Sequence, residues 1–257
     1  MLTEERRDLI VKLVNEEGAV TVTELMDKFD ASAATIRRDL NALNDANKII
    51  KVFGGATSLN TATINTVEDA VAIKSTRNVE EKDIIARYSA SLIQDNDFVY
   101  IDSGTTTLKM IDYIRNKKAK YITNGIVHAK KMIDLGLNTS IIGGKLKSAT
   151  EAIVGPDSVE AIAKYHFTKA FMGTNGISLE AGFTTPDVEE AMLKKEAIRH
   201  SYMKCILADH SKFGQVNSVS FAELSQCAII TDVAPDNKYI DKTVIKVLSE
   251  IKRRENK

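Results

Sequence analysis

The sequence predicts an α/β protein in two parts: a short helical N-terminal stretch ending in a strand, then a larger domain built on a mainly parallel sheet. Three observations carry that reading. Residues 3–52 place apolar side chains at helical spacing, with no strand pairs until their end. Residues 53–66 (FGGATSLNTATINT) are small and polar with two adjacent glycines, a composition that suits a hinge. From Phe98 onward, short β-branched and aromatic runs alternate with amphipathic helical patterns. The 257 residues suffice for one large domain or two, and the 35 Lys+Arg balance the 35 Asp+Glu, so bulk charge announces no nucleic-acid partner. At 44% hydrophobic and 27% charged, the chain is not a disordered one. No apolar run approaches the roughly 18 residues of a membrane span, and MLTEERR opens on charge, not on a signal peptide. Cys205 and Cys227 lie in apolar runs (KCILA, QCAII) and read as buried thiols. A soluble cytoplasmic protein with no membrane partner is expected.

In chain order, a first helix covers about Thr3–Glu17, with Leu9, Ile10, Leu13 and Val14 on one face and Gly18 ending it. A second begins at Thr23, read as its N-cap, and buries Leu25, Met26 and Phe29. Asp30-Ala31-Ser32 turns the chain, and Ser32 caps a third helix, 33–44, whose Ile36, Leu40 and Leu43 face inward. KIIKVF (48–53) is a strand ending in the glycine pair. Residues 68–95 form a charged helical pattern with Ile84, Ile85, Tyr88, Leu92 and Ile93 as its apolar stripe. Strands follow at 98–101, 120–123, 139–143, 169–173 and 204–209. Helices are expected at 106–115, 127–135, near 158–165 and at 188–202. The expected division is 1–57, a linker 58–74, and 75–257.

The third helix points Thr35, Arg37, Arg38 and Asn41 outward. Arginines, hydroxyls and amides on an exposed helix face are the groups that reach phosphates and base edges in a major groove. Lys48 and Lys51 on the following strand, with Thr23 and Ser32 at the turns, complete the candidate DNA-contact set. Residues 1–57 nevertheless carry eight Lys/Arg against ten Asp/Glu. Most carboxylates fall in the first two helices. Spacing alone leaves a DNA reader and a small bundle with a solvated charged face equally open.

In the second part, Asp102-Ser103-Gly104-Thr105-Thr106-Thr107 lies where a strand ends and a helix begins. Ligands of open parallel sheets bind at the carboxyl ends of strands, and helix N-termini offer N–H groups to anions. In isolation the simpler reading is a glycine turn with a threonine cap, and no Gly-Lys-Ser/Thr makes it a P-loop. Other strand ends carry similar turns: Thr123-Asn124-Gly125, Gly143-Gly144-Lys145, Gly173-Thr174-Asn175-Gly176 and Asp209-His210-Ser211-Lys212. The loop Thr184-Thr185-Pro186-Asp187 lies between them. On one sheet edge they would make a polar pocket, with Lys212 as a point charge for phosphate. The candidate ligand set is therefore Asp102, Ser103, Gly104, Thr105, Thr106, Thr107, Thr123, Asn124, Gly143, Gly144, Asn175, Thr184, Thr185, Asp187 and Lys212. Histidines 128, 166, 200 and 210 show no metal-ligand spacing, and no metal or cofactor is expected.

The run VTVTELMDKFDASAATIRRDLNAL, followed by VFGGA, resembles the winged helix-turn-helix of the DeoR family of bacterial repressors. Ser32-x-x-Thr35-Ile36-Arg37-Arg38-Asp39-Leu40 matches that family's signature. The resemblance makes 33–44 the recognition helix and gives Asp39 an orienting or capping role, since a carboxylate facing phosphate would be repelled. Residues 78–250 resemble the sugar-phosphate sensor domain of the same family, itself similar to ribose-5-phosphate isomerase. The stretches DSGTTTLKMIDYI, TNGIVHA, IIGGKLK, FMGTNGISLEAGFTTPDVEEAMLKKEAI and LADHSKFG look most like the fructose-operon repressors. What this implies is a homo-oligomer, dimer or tetramer, on double-stranded operator DNA. A phosphorylated sugar, fructose 1-phosphate first, would release it by moving the heads through the 53–66 hinge.

The competing class is a sugar-phosphate isomerase with an appended head. Aldose–ketose isomerisation needs a general base, usually a carboxylate. The resembling isomerases carry an acidic cluster after the strand that is KAFMG here, where this chain has Gly173-Thr174-Asn175-Gly176. Asp102, Asp187 and Glu189 remain as hydroxyl binders. The expectation is binding without turnover, with a different sugar phosphate as the alternative effector.

Overall fold

The computed structural model describes residues 2–58, 65–66 and 71–248, and the chain divides into two units, Met1–Thr63 and Ile64–Lys257. In the first, α1 (Thr3–Glu17), β1 (Ala19–Thr21), α2 (Val22–Phe29), α3 (Ala33–Asp45), β2 (Ile49–Val52) and β3 (Gly55–Ser58) follow in order. The three strands form one antiparallel sheet, β1-β3-β2. The helices enclose Ile10, Leu13, Val14, Val20, Leu25, Ile36, Leu40, Leu43 and Ile49. Met26 and Phe29 pack against that core, whereas Leu9 is exposed, contrary to its expected place on the inner face. The cap of α2 is Thr21, not Thr23: the Thr21 hydroxyl accepts from Glu24 N–H, and Glu24 accepts in return from Thr21 N–H. Ser32 caps α3 as expected, accepting from Thr35 N–H.

Part of the expected hinge is strand. Gly55–Ser58 pairs with both β1 and β2, and Gly55 is required there, since a Cβ would lie 2.1 Å from Val20 O. Phe53 and Gly54 (φ +82) form the two-residue tip of the β2–β3 hairpin. Residues 59–64 and 67–70 of the expected linker lie outside the described residues.

The second unit opens with α4 (Val71–Thr76) and α5 (Val79–Ser91). The single charged helix expected here is thus broken at Arg77-Asn78, where Asn78 adopts φ +50. Then come β4 (Phe98–Ile101), α6 (Thr105–Ile111), β5 (Lys120–Thr123), α7 (Ile126–Asp134), β6 (Asn138–Ile141), β7 (Lys145–Lys147), β8 (Ala152–Val154) and α8 (Pro156–Ile162). They are followed by β9 (Phe167–Gly173), β10 (Gly176–Ser178), β11 (Gly182–Thr185), α9 (Val188–Arg199) and β12 (Ser201–Leu207). Last are β13 (Val219–Ala222), β14 (Ala228–Thr231), α10 (Asn237–Ile240) and β15 (Ile245–Val247).

Seven strands form one sheet in the order β15-β14-β12-β9-β4-β5-β6, with every pairing parallel. Period-two alternation feeds a core on each face. Val99, Ile101, Phe171, Cys205 and Leu207 meet α5, α6 and α7 on one side; Tyr100, Ala170, Met172 and Ile206 meet α8 and α9 on the other. Burial pushes both thiols, Cys205 and Cys227, up to about 12, and neither is bridged. Tyr202 belongs to β12 and is exposed, not to the end of α9. Two antiparallel additions escaped the sequence reading, the hairpin β7–β8 and the small sheet β10-β11-β13. Among the described residues no helix is long and apolar enough to cross a membrane.

Candidate DNA face and effector cavity

On the first unit, α3 exposes Arg37, Arg38 and Asn41, with Thr35 half-buried and bonded to Ser32 (3.0 Å). Lys51 ties β2 to this helix: its Nζ donates to Asn41 Oδ1 (2.7 Å) and its N–H to Asn44 Oδ1 (2.9 Å). Helix face and hairpin therefore form one surface. Lys48 is exposed and 3.8 Å from Asp8, while Thr23 is exposed on α2 without capping it. Asp39 points inward. Arg6 Nε (2.7 Å) and Arg7 Nε (2.9 Å) each donate to one of its oxygens, fastening α1 to α3. The carboxylate in the Arg-Arg-Asp run thus orients arginines of α1 and leaves Arg37 and Arg38 outward.

In the second unit a cavity of about 520 Å³ opens at the carboxyl ends of β4, β9 and β12. Of the candidate ligand residues, Asp102, Ser103, Gly104, Thr105, Thr106, Asn175 and Lys212 line it. The other eight do not. Thr107 is buried beneath the loop, its hydroxyl donating to the Asp102 and Gly104 carbonyls. His128 Nε2 lies 3.0 Å from Gly104 O, and since a carbonyl only accepts, that nitrogen carries the proton. Burial lowers this imidazole to about 4, so it is neutral at neutral pH. Thr123 accepts from Gly125 N–H, and Asn124 props Ser103, accepting from its N–H at 3.1 Å. Gly143 and Gly144 lie away from the cavity, where Gly143 O accepts from Ser158. Thr184 bonds Asn217, Thr185 bonds Asn175, and Asp187 caps α9 and pairs with Lys147 (3.0 Å). These residues hold the walls. The helix behind Gly104 is also only seven residues long, so its N-terminus is a minor attraction for an anion.

The principal charges come from residues that the sequence reading passed over. Lys74, Arg77, Lys82 and Lys194 join Lys212 on the cavity wall. Lys194, buried on α9, bonds Asp102 Oδ2 and Gly173 O (3.1 Å), so Asp102 is paired and not a bare carboxylate. Lys82, buried on α5, bonds Lys74 O. Burial lowers its pKa, neighbouring Lys212, Lys74 and Arg77 lower it further, and Asp209 opposes them. Burial alone would raise Asp209, but bonds from Ser211 and Asn78 and the charge of Lys212 hold it below its usual range. A sequence signal for the two lysines did exist. Lys82 lies in step with Ile85, Ala86 and Ser89, and Lys194 with Ala191, Ala197 and Ile198, so each is a cation on the buried stripe of its helix. Among the described residues no cluster of His, Cys, Asp or Glu could hold a metal.

A winged helix joined to a parallel-sheet unit with a cationic cavity defines a helix-turn-helix regulator carrying its own sensor domain. Comparison with known families agrees. Residues 6–62 match the DeoR-like helix-turn-helix domain and residues 77–233 the DeoR C-terminal sensor domain. The chain is 40% identical over 252 residues to an uncharacterised HTH-type transcriptional regulator, FruR, of Bacillus subtilis, covering 96% of this chain and 99% of that protein. It is 34% identical to the regulator IolR of the same organism (86% and 88% covered) and 34% identical to a lactose phosphotransferase system repressor of Staphylococcus epidermidis (89% and 91%). The chain belongs to the DeoR family of transcriptional regulators, and it is a regulator, not an enzyme. A solved ribose 5-phosphate isomerase from Plasmodium falciparum overlaps at TM-score 0.39 and 18% identity over 52% of each chain, a likeness too slight to bear on chemistry.

Proposed function

We propose that the chain represses a sugar-utilisation operon, with fructose utilisation as the first candidate, and leaves its operator when a phosphorylated sugar such as fructose 1-phosphate fills the cavity. The observation that carries this reading is the set of cations around Lys82. Like charges crowded at a partly dry site repel, and a phosphate dianion relieves them. An effector acts only through tighter binding to the released state, and a charge-strained cavity supplies a term for such a difference. Arg37, Arg38, Asn41 and Lys51 read double-stranded operator DNA, with Thr35, Ser32, Lys48 and Thr23 at the edges of that face. Two copies in a dimer or tetramer present two such helices to successive half-sites in the cytoplasm.

Fructose is favoured by the stretches that resemble fructose-operon repressors and by the higher identity to FruR than to the lactose repressor. That second relative supports a second reading, in which another sugar phosphate is the effector. Gel-shift binding to the DNA upstream of the protein's own gene, at fixed salt, tests both. Release by fructose 1-phosphate but not by fructose 6-phosphate or galactose 6-phosphate is expected. Release by a different sugar phosphate moves the assignment to the second reading, and no DNA binding sinks both.

A further inference from the structure

Lys51 does more than charge the candidate DNA face: it decides which way an amide points. Asn41 stands exposed on α3, one turn beyond Arg37 and Arg38. Lys51 reaches the helix from β2 through two bonds, its N–H to Asn44 Oδ1 (2.9 Å) and its Nζ to Asn41 Oδ1 (2.7 Å). The first bond fixes where the lysine stem starts, and the second fixes the Asn41 amide. An ammonium only donates, so the atom it meets is the amide oxygen, and the Asn41 NH2 is turned away from it. That NH2 meets no acceptor among the described residues. The pair therefore presents an amide NH2 beside an ammonium, donors only. An asparagine with its oxygen free reads adenine by giving a proton to N7 and taking one from N6. Lys51 occupies the oxygen that would take it. A second lone pair remains there, yet an N6 amino group using it would stand beside the ammonium, donor against donor. Guanine offers N7 and O6, two acceptors side by side, and suits both donors of the pair.

We propose that Asn41 and Lys51 form one donor-only unit that reads a guanine in the major groove, and that Lys51 keeps Asn41 from reading adenine. Lys51 is thus a specificity-determining residue although it lies on the hairpin and not on the helix that enters the groove. This rests on the DNA-reading role of α3 proposed above and adds to it the base that one residue pair selects. A lysine that only met phosphate would strengthen binding to every sequence alike, whereas this one changes the preference at a single base pair.

Selection of duplexes from a random-sequence pool by the full chain, at fixed salt, tests the assignment. The base pair read by Asn41 is the one whose preference disappears in Asn41→Ala. There the wild type is expected to favour guanine over adenine at least about tenfold, the scale of one bidentate contact. Lys51→Met keeps a long stem without the ammonium and frees the Asn41 oxygen for adenine N6. It should bring the guanine-to-adenine ratio at that pair to about one or below, with the other positions of the half-site unchanged. The proposal is overturned if the wild type prefers adenine there, if Asn41→Ala alters no position, or if Lys51→Met leaves the ratio intact. A wild-type site without guanine in its contacted half overturns it with no variant needed. A pool from which the wild type enriches no sequence would instead remove the DNA reading underneath.

Discussion

The two units keep their polar chemistry on opposite sides of their cores. In Met1–Thr63, Arg37, Arg38, Asn41 and Lys51 stand outside a small apolar core, on one helix and one strand close in sequence. In Ile64–Lys257, Lys82, Asp102, Glu190 and Lys194 are buried, and Lys194 reaches Asp102 from 92 residues away in the sequence. An exposed face costs little to charge, so its residues are set by what approaches from solvent. A buried charge must be paired, hydrogen-bonded or filled by a ligand, so the sensor's residues are set by one another. The winged helix has one exception, Asp39, and the largest expected effect follows from it.

Asp39 is the one strongly buried carboxylate described in the first unit, held by Arg6 and Arg7. Asp39→Ala leaves two guanidinium groups facing an empty position and should destabilise the winged helix by about 3 kcal/mol, the low end for breaking a buried pair, because Arg7 can turn to water. Urea unfolding read by amide signals of each unit should show the loss in residues 2–58 while residues 71–248 keep their midpoint. Equal loss in both would mean that the two units unfold as one.

The sensor's counterpart is His128 beneath the Ser103–Thr107 loop. Its folded pKa of about 4 lies below the ordinary 6.5, so the unfolded chain takes up the proton first as pH falls. The stability this group contributes is complete above about 6.5 and drains between there and about 4. His210 has the opposite sign: Asp232 raises its pKa, and its contribution is present at low pH and lost as pH rises through the raised value. In a His210→Ala background, the chain with His128 should therefore lose about 2 kcal/mol more between pH 7.5 and 5 than the chain with His128→Gln. Parallel stability curves would mean that the loop's support is not the neutral imidazole.

Legibility followed the same contrast. The strand–helix alternation, the three head helices and the Ser32 cap were readable because each is local, one period or one cap at a time. The inner face of α3 and its outward Arg37 and Arg38 came from the same periodicity. The cavity was half readable: glycine and hydroxyl turns marked the strand ends, yet Thr123, Thr184 and Asp187 proved to be wall and cap residues. Lys82, Lys194 and Glu190 were missed because a charged helix hides its one buried charge among solvated ones, and only the tertiary packing tells them apart. The wing strand Gly55–Ser58 was missed for a different reason. Its small residues read as linker, while its need for Gly55 arises from the approach of Val20 in another strand.

A smaller effect separates the two surfaces by function. Arg38→Ala removes one candidate groove contact and should weaken operator binding about tenfold, near 1.4 kcal/mol, with sugar-phosphate affinity unchanged. Lys212→Ala should do the reverse, weakening the effector and leaving the repressor on DNA. Gel shifts with effector titration read both, and identical behaviour of the two variants would refute the division of labour.

The smallest expected change tests whether a residue on the DNA face acts through the helix or through DNA. Ser32 accepts from Thr35 N–H and its hydroxyl meets the Thr35 hydroxyl, so it caps α3 while standing exposed beside the candidate contacts. Loss of an N-cap costs about 1 kcal/mol of stability, whereas loss of a neutral hydroxyl's bond to a phosphate costs affinity and leaves the salt slope, which counts cationic contacts, unchanged. Ser32→Ala should therefore lower the unfolding midpoint of the winged helix and leave operator affinity unchanged at temperatures where the helix is fully folded. Ser32→Asp restores the cap acceptor and places an anion at the helix N-terminus. If Ser32 is a cap alone, this variant regains stability and differs from wild type on DNA only by the repulsion of its new charge. If Ser32 donates to a phosphate, Ser32→Ala itself loses operator affinity where the helix is fully folded, and the helix-capping account of this residue gives way to a direct contact.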